Sequence, residues 1–362
     1  MEVIVLISIS LCMIVKNEED TLSNCLESVK DIVDEIVIVD TGSTDNTKEI
    51  AQKYTDKIFD FKWIDNFASA RNYSFSKATK DYILWLDADD ILLNEDRKKF
   101  KVLKQILKNN ADSISMIYNY AFDKNGAVLL NFKRNRLIKR DKNFKWIGAI
   151  HEYINVQGRI IDSDIHITHK RTHSSPGRNL KIFEKMISKE IKFTPRDTYY
   201  YANELYDNKY YHKALEYYNK FLCMNDGWYE NKINACHKIS KYYNSIDNKE
   251  KSREYCYKSF EYDKPRAEFC CMLGLCFIQQ NKWNEAVFWY ELALNLKRPE
   301  DSWGFFDNSC WTWLPHLQLC VCYDKLGNHK LAYEHNEMAA KYVPNNTCIL
   351  HNEEYFEKLG FK

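Results

Sequence analysis

The chain has 362 residues, with 52 Lys+Arg against 51 Asp+Glu and a formal net charge of +1, so neither nucleic acid nor an anionic membrane surface is expected as its main partner. It is 45% hydrophobic and 15% aromatic with only 10 Gly and 6 Pro, which excludes a disordered chain and leaves room for two folded domains. Its 12 cysteines contain no C-x-x-C pair and mostly fall in periodic apolar segments (Cys25, Cys236, Cys256, Cys270, Cys276, Cys320), the pattern of reduced core thiols rather than a disulfide frame or zinc site.

Val3 to Val15 is an apolar run of 13 residues. It is too short to span a membrane, and acidic Glu2 stands where a signal peptide needs a basic flank. A buried parallel strand from about Ile7 to Val15 is the better reading, and a soluble, cytoplasmic chain without a membrane span is expected. A helix follows, capped by Asp20 or Thr21, with Leu22, Cys25, Leu26, Val29 and Val33 on one face. Glu35 to Asp40 is a second strand, and Thr41-Gly42-Ser43-Thr44-Asp45 is turn and cap chemistry before a helix through Ile50. Ile58 to Phe61 is a third strand. Asn66 opens a helix through Ala70 and Phe75, and Tyr82 to Leu86 is a fourth strand. This order predicts a parallel sheet with helices on its faces, whose ligands sit beyond the carboxyl ends of the strands. Asp40 and Asp87 both stand at such ends.

After a helix near Glu95 to Leu107 the pattern changes. Ser113 to Phe122 and Val128 to Phe132 flank Asn125-Gly126, a hairpin signal. Asn135 to Lys139 and Glu152 to Val156 are expected as further strands, making the sheet mixed. Beyond Pro195 the chain reads as helical and self-similar. Gly274, Phe277, Ala286, Tyr290 and Ala293 stand at offsets also occupied by Cys320, Tyr323, Ala332, Asn336 and Ala339. Ala202, Leu205, Ala214, Tyr218 and Phe221 share them, and Ser240, Tyr243, Ser252, Cys256 and Ser259 follow more weakly. This is the tetratricopeptide pattern, about four helix pairs, with an insertion near Arg298 to Ser309 rich in aromatics such as Trp303, Phe305 and Phe306. The predicted division is an α/β domain over 1–194 and an all-α solenoid over 195–362.

Asp87-Ala88-Asp89-Asp90 follows the apolar Tyr-Ile-Leu-Trp-Leu run. Two carboxylates on alternate residues after a strand can hold a hard divalent cation, Mn²⁺ or Mg²⁺, together with a ribose hydroxyl. Such a cation neutralises the charge of a nucleoside diphosphate leaving group. Asp-x-Asp alone is a weak signal, and its weight comes from the strand ends around it.

Ser10 to Glu18, Val39-Asp40-Thr41-Gly42-Ser43-Thr44-Asp45 and Leu86-Asp87-Ala88-Asp89-Asp90 together resemble a family 2 glycosyltransferase over roughly residues 8 to 195. Phe67-Ala68-Ser69-Ala70-Arg71-Asn72 and Trp146-Ile147-Gly148-Ala149-Ile150-His151-Glu152, with the repeats behind them, resemble its repeat-containing branch, which includes enzymes that glycosylate peptides. The resemblance implies the GT-A fold, with a Rossmann-like mixed sheet, a nucleotide-diphosphate sugar donor such as a UDP-sugar, and inversion at the anomeric carbon. It implies a donor set of Val15, Asn17, Asp40, Arg71, Asp87, Ala88 and Asp89, with Asp40 at the nucleobase edge and Val15 and Asn17 flanking base and ribose. Asp45 is either part of that set or a helix cap. Arg71 either reaches the diphosphate or pairs with an acid.

Glu152 is the candidate general base, with His151 beside it on the acceptor side. Asp89 and His169 are the candidate metal ligands, with His166 and His173 as rivals to His169. Lys170 to Arg178 is expected as a loop that closes over the diphosphate or links the domains. The repeats suit a peptide or protein acceptor, or else stabilise the first domain or pair two copies. The competing functions are transfer to a glycan or lipid-linked acceptor, and a non-catalytic repeat scaffold. Nucleotidyl transfer would need a Gly-rich phosphate loop with a nearby Lys early in the chain, and Lys16-Asn17-Glu18-Glu19 is not one.

Overall fold

The computed structural model describes residues 6–107, 110–122, 128–170, 177–299, 304 and 306–361. Asn125-Gly126, His173, Trp303, Phe305 and residues 171–176 of the expected loop lie outside the described residues. The chain divides into two compact units, 1–192 and 193–362.

In the first unit, β1 (Ile9–Val15), β2 (Glu35–Asp40), β3 (Ile58–Asp60) and β4 (Tyr82–Trp85) are parallel, in the order β3-β2-β1-β4. The near-continuous burial of β1, β2 and β4 explains their unbroken apolar runs, since a central parallel strand is covered on both faces, whereas β3 at the sheet edge is only partly buried. The connecting helices are α1 (Leu22–Val29), α2 (Thr47–Gln52) and α3 (Phe67–Phe75). Leu22, Cys25, Leu26 and Val29 of α1 are all fully buried against Ile9, Leu11 and Met13, as the helical spacing requires. Asn66 caps α3 by accepting from the Ser69 amide at 2.9 Å, which fixes where Arg71 points.

The sheet continues through β5 (Asp90–Ile91), β6 (Ser113–Phe122) and β7 (Val128–Lys139) to β10 (Ile160–His169), in the full order β3-β2-β1-β4-β7-β6-β10-β5. β7 runs antiparallel to β4 and β6, and β10 is parallel to β6. Helix α4 (Asn94–Ile106) precedes β6, and β8 (Trp146–Ile147) and β9 (Tyr153–Ile154) form a separate two-stranded ribbon. The expected strands Val128 to Phe132 and Asn135 to Lys139 are one strand, with register shifts that absorb its polar middle. The strand expected over Glu152 to Val156 shortens to Tyr153–Ile154, because among the described residues its strand partner is the brief Trp146–Ile147 segment. Helix α5 (Arg178–Ser188) closes the unit.

The second unit begins with a capping box. Thr194 accepts from the Asp197 amide, Asp197 accepts from the Thr194 amide, and Pro195 occupies the first helical turn. Helix pairs α6 (Pro195–Asp207) and α7 (Tyr211–Leu222), α8 (Tyr229–Ser245) and α9 (Lys249–Ser259), α10 (Ala267–Ile278) and α11 (Trp283–Asn295), and α12 (Trp313–Lys325) and α13 (His329–Ala340) follow, then α14 (Thr347–Lys358). The repeat offsets acquire a physical meaning here. Ala214, Ser252, Ala286 and Ala332 are each fully buried. The Ser240 hydroxyl lies 3.0 Å from both Ser252 Oγ and Cys256 Sγ across its helix pair. A Cβ on Gly274 would stand 2.6 Å from the Tyr290 ring, so the glycine is what lets that tyrosine pack. All 12 cysteines are free thiols, and among the described residues no helix is long and apolar enough to cross a membrane.

Candidate active site

The strand ends gather the expected residues in two tiers. The first ties the loop after β1 to the loop after β2. Asn17 Oδ1 accepts from the Thr44 amide at 2.8 Å, and its own amide donates to Ser43 Oγ at 3.0 Å. Asn17 has φ +55°, a left-handed conformation that asparagine tolerates better than most residues. Asp40 is buried and accepts from the Gly42 and Ser43 amides at 3.0 Å, with Lys48 Nζ 3.7 Å away. Asp45 accepts from the Thr47 amide and hydroxyl and from the Glu19 amide, so it turns the chain just before α2, whose N-cap position is Asn46, and ties it to the neighbouring loop. Val15 packs its side chain into the core, and only its backbone faces the loop, where its carbonyl accepts from Thr41.

The second tier surrounds Asp87-Ala88-Asp89-Asp90. Arg71 Nη2 donates to Asp87 Oδ1 at 2.7 Å and Nε donates to Glu152 Oε1 at 2.6 Å, so one guanidinium bridges the two acids. Of the two roles weighed for Arg71, the ion pair is the one observed. The group is buried between the rings of Trp85 and Trp146, 5.1 and 4.9 Å from their centroids. Burial would push the Asp87 carboxyl up, but Arg71, Arg136 and Arg134 outweigh it and hold the group well below the usual carboxylate range.

Local structure explains how Glu152 arrives there. Asn72 clamps the Trp146 backbone, donating to its carbonyl and accepting from its amide, both at 2.9 Å. The Phe67 amide donates to Ala149 O, pinning the start of α3 to the same loop. Gly148 turns the chain at φ +99°, and His151 is also left-handed at φ +49°. Both Asn17 and His151, singled out from sequence alone, therefore carry unusual backbone.

Asp89 and His169 come together, with Asp90 as a third member. Ligand atoms of the three residues lie within 4.8 Å of one another. His169 Nδ1 is 3.4 Å from Asp89 Oδ1 and 3.6 Å from Asp90 Oδ1. Asp90 Oδ1 and His169 Nδ1 are both buried and neither makes a hydrogen bond. Two buried atoms left without partners, in an oxygen-oxygen-nitrogen donor set, fit a hard or borderline divalent cation such as Mn²⁺ or Mg²⁺. Burial alone would lower the His169 pKa, but the two carboxylates lift it to about 9, and the same field attracts a cation. The rival His166 faces Asn119, 3.2 Å from its Oδ1.

Asp90 is completely buried and accepts from Arg136 Nη1 at 2.9 Å and from the Asp87 amide at 3.1 Å. Arg136 is completely buried too, its guanidinium 3.9 Å from the Trp85 ring centroid. Sequence reasoning assigned no role to Arg134 or Arg136. The available signal was their alternate spacing in a strand, which puts both on one face.

Residues 10–156 match the family model described as glycosyl transferase family 2, and residues 267–299 match a tetratricopeptide repeat model. The first unit thus contains a family 2 glycosyltransferase region, and the second contains a tetratricopeptide repeat that takes in α10 and α11. Over 223 residues the chain is 25% identical to the SPbeta prophage-derived glycosyltransferase SunS of Bacillus subtilis, covering 58% of this chain and 52% of SunS. Over 87 residues it is 49% identical to a tetratricopeptide repeat-containing protein of Synechococcus elongatus, covering 24% of this chain and 22% of that protein. The chain therefore spans between about a fifth and about a half of the length of these relatives. Among solved structures, glucosyl-3-phosphoglycerate synthase from Mycobacterium tuberculosis, in complex with Mn²⁺ and uridine-diphosphate-glucose, is similar at a TM-score of 0.35 and 13% identity, over 52% of this chain and 80% of that one. That likeness is too distant to locate a site.

Proposed function

We propose that the first unit is an inverting, divalent-metal-dependent glycosyltransferase that uses a nucleotide-diphosphate sugar, with a UDP-sugar the first donor to test, and that its acceptor is a peptide or protein. The observation that carries the reading is the Asp87–Arg71–Glu152 bridge beside the Asp89, Asp90 and His169 cluster. It joins the donor-side acid to the candidate base through one guanidinium. Asp89, Asp90 and His169 would hold Mn²⁺ or Mg²⁺, which supplies Lewis-acid neutralisation of a diphosphate.

The protein's own groups do the rest. Asn17 and Asp40 shape the loop that receives the nucleoside, Asp40 chiefly by fixing the turn after β2. Asp87 takes the ribose side. Arg71 positions both Asp87 and Glu152 while the two tryptophans exclude water from it. Glu152 accepts the acceptor's proton as the nucleophile attacks, and His151 lies next to it on the acceptor side. An in-line displacement then inverts the anomeric carbon.

Tetratricopeptide repeats present surfaces suited to extended peptides, which favours a peptide acceptor. The test is transfer from a panel of nucleotide sugars to a peptide library, read by mass increase, with the anomeric configuration of the product read by proton NMR. A glycosylated peptide of inverted configuration supports the proposal. Transfer only to glycan or lipid-linked acceptors, or retention of configuration, overturns the acceptor or the stereochemical part of it. The same measurement separates the enzyme from a repeat scaffold.

A further inference from the structure

Three guanidinium groups crowd the Trp85 indole. Arg71 lies 5.1 Å from its ring centroid, Arg136 3.9 Å and Arg134 5.8 Å. Two of them are matched by acids: Arg71 by Asp87 and Glu152, Arg136 by Asp90. Among the described residues the Arg134 guanidinium makes no hydrogen bond and no ion pair. Its guanidinium is held by aromatic faces instead, 5.3 Å from both Tyr118 and Phe132. It is half-buried, so its donors keep an opening to solvent.

Holding a cation beside another cation, partly out of water and with no acid of its own, is costly. Burial, with Arg136 next to it, lowers the Arg134 pKa, while Tyr118, Asp87 and Glu152 act in the opposite direction. The neighbours that sense it are therefore the donor-side acid and the candidate base. Charge counting says what it is for. The carboxylates of Asp87, Asp89, Asp90 and Glu152 face the cations Arg71, Arg134 and Arg136. A divalent cation makes this set net positive, and among the described residues Arg134 is the cation in it that no acid pairs with; Arg136 Nε and Nη2 also lack partners but are fully buried.

We propose that Arg134 is a catalytic residue that grips the terminal phosphate of the nucleoside diphosphate and meets the charge that appears on it as it leaves. The proposal rests on the donor class given above. In the transfer, the acceptor atom forms its bond to the anomeric carbon, and the bond from that carbon to the diphosphate oxygen breaks. The electron pair leaves on the diphosphate, and the acceptor's proton goes to Glu152. The leaving group gains one negative charge in that step. A planar donor fork, oriented beforehand by Tyr118, Phe132 and Trp85, stabilises that charge without reorganising. A nucleoside monophosphate lacks the group Arg134 would hold.

The test is calorimetric titration of the full chain with uridine, guanosine and thymidine diphosphates and the matching monophosphates, each with Mn²⁺. Arg134→Met, which keeps an apolar stem among the rings, should weaken the bound diphosphate about tenfold to a hundredfold, the scale of a charged hydrogen bond. It should leave Mn²⁺ and the monophosphate within about twofold. Arg134→Lys, which keeps the charge needed if the methionine variant does not fold, should fall between methionine and wild type. Equal diphosphate affinity in wild type and either variant overturns the role of Arg134 and leaves the donor site standing. Equal weakening of diphosphate and monophosphate assigns Arg134 to structure and overturns it too. If wild type binds no nucleotide in any form, the donor reading falls, and this proposal with it.

Discussion

Asp90 and His169 are register partners in the short antiparallel pairing of β5 with β10, and this backbone contact sets Asp90 Oδ1 3.6 Å from His169 Nδ1. Two candidate ligands anchored on strands hold their geometry better than side chains on loops. Asp89 joins them from the turn, and its carbonyl accepts from the Lys170 amide at 2.7 Å.

His169→Ala should therefore weaken Mn²⁺ binding at least about tenfold, as loss of one of three protein ligands would, while costing little stability because the ring makes no hydrogen bond through Nδ1. Calorimetric Mn²⁺ titration checks the first part and thermal unfolding the second. Unchanged Mn²⁺ affinity would remove His169 from the metal site.

Asp90 has a second task, which separates it from His169. Asp90→Asn leaves the fully buried Arg136 without its counter-charge. Breaking such a pair costs about 3–5 kcal/mol, so this variant should lose both metal affinity and stability. Arg136→Met added to Asp90→Asn should recover stability and not metal binding. Denaturant unfolding of the single and double variants measures the recovery.

The Arg71 bridge predicts a similar asymmetry. A lysine cannot span Asp87 and Glu152 with a fork. Arg71→Lys should lower kcat by about a hundredfold, the size of a positioning loss, with a smaller change in donor KM. A donor KM that rises while kcat stays constant would place Arg71 in ground-state binding.

Much of this arrangement was legible in the chain. The apolar runs ending at Asp40 and Asp87 announced two parallel strands and their acids, and Asn66 announced the start of α3. The small residues at 214, 252, 286 and 332 announced the helix pairs, because close helix packing leaves a local trace. The Asp90 and His169 pairing left none, since a two-residue strand contact across 79 positions has no periodicity to read. The cation cluster was hidden for another reason. Arg134 and Arg136 look like solvent-facing strand residues until Trp85, Tyr118 and Asp90 are seen beside them. The same holds for Asp45, whose turn before α2 binds Glu19 as well as Thr47.

Glu35 gives a pH test away from the site. Burial would raise its pKa, but hydrogen bonds from Lys57, Ser10 and Thr79 overcome that and hold it at about 2, against an ordinary 4.5. A depressed carboxyl stabilises fully above its unfolded value and loses that contribution as pH falls through the folded one. The first unit should thus lose on the order of 2 to 3 kcal/mol from this group between about pH 4.5 and 2. Glu35→Gln should be less stable at pH 7 and show a shallower acid limb in denaturant unfolding.

In the repeats, Gly274→Ala would drive a methyl into the Tyr290 ring, 2.6 Å from the new Cβ. Overpacking of this kind costs about 1–3 kcal/mol. Thermal unfolding should show a lower midpoint for the repeat unit, partly restored when Tyr290 is shortened to leucine.

The most direct measurement is nucleoside diphosphate release by the full chain from a panel of nucleotide sugars, with Mn²⁺, with Mg²⁺ and with chelator, in wild type and Asp89→Ala. Release from at least one donor that requires the metal and vanishes in Asp89→Ala is the predicted result. A wild-type chain that neither binds nor turns over any nucleotide sugar with metal present, or an Asp89→Ala variant as active as wild type, would contradict the account.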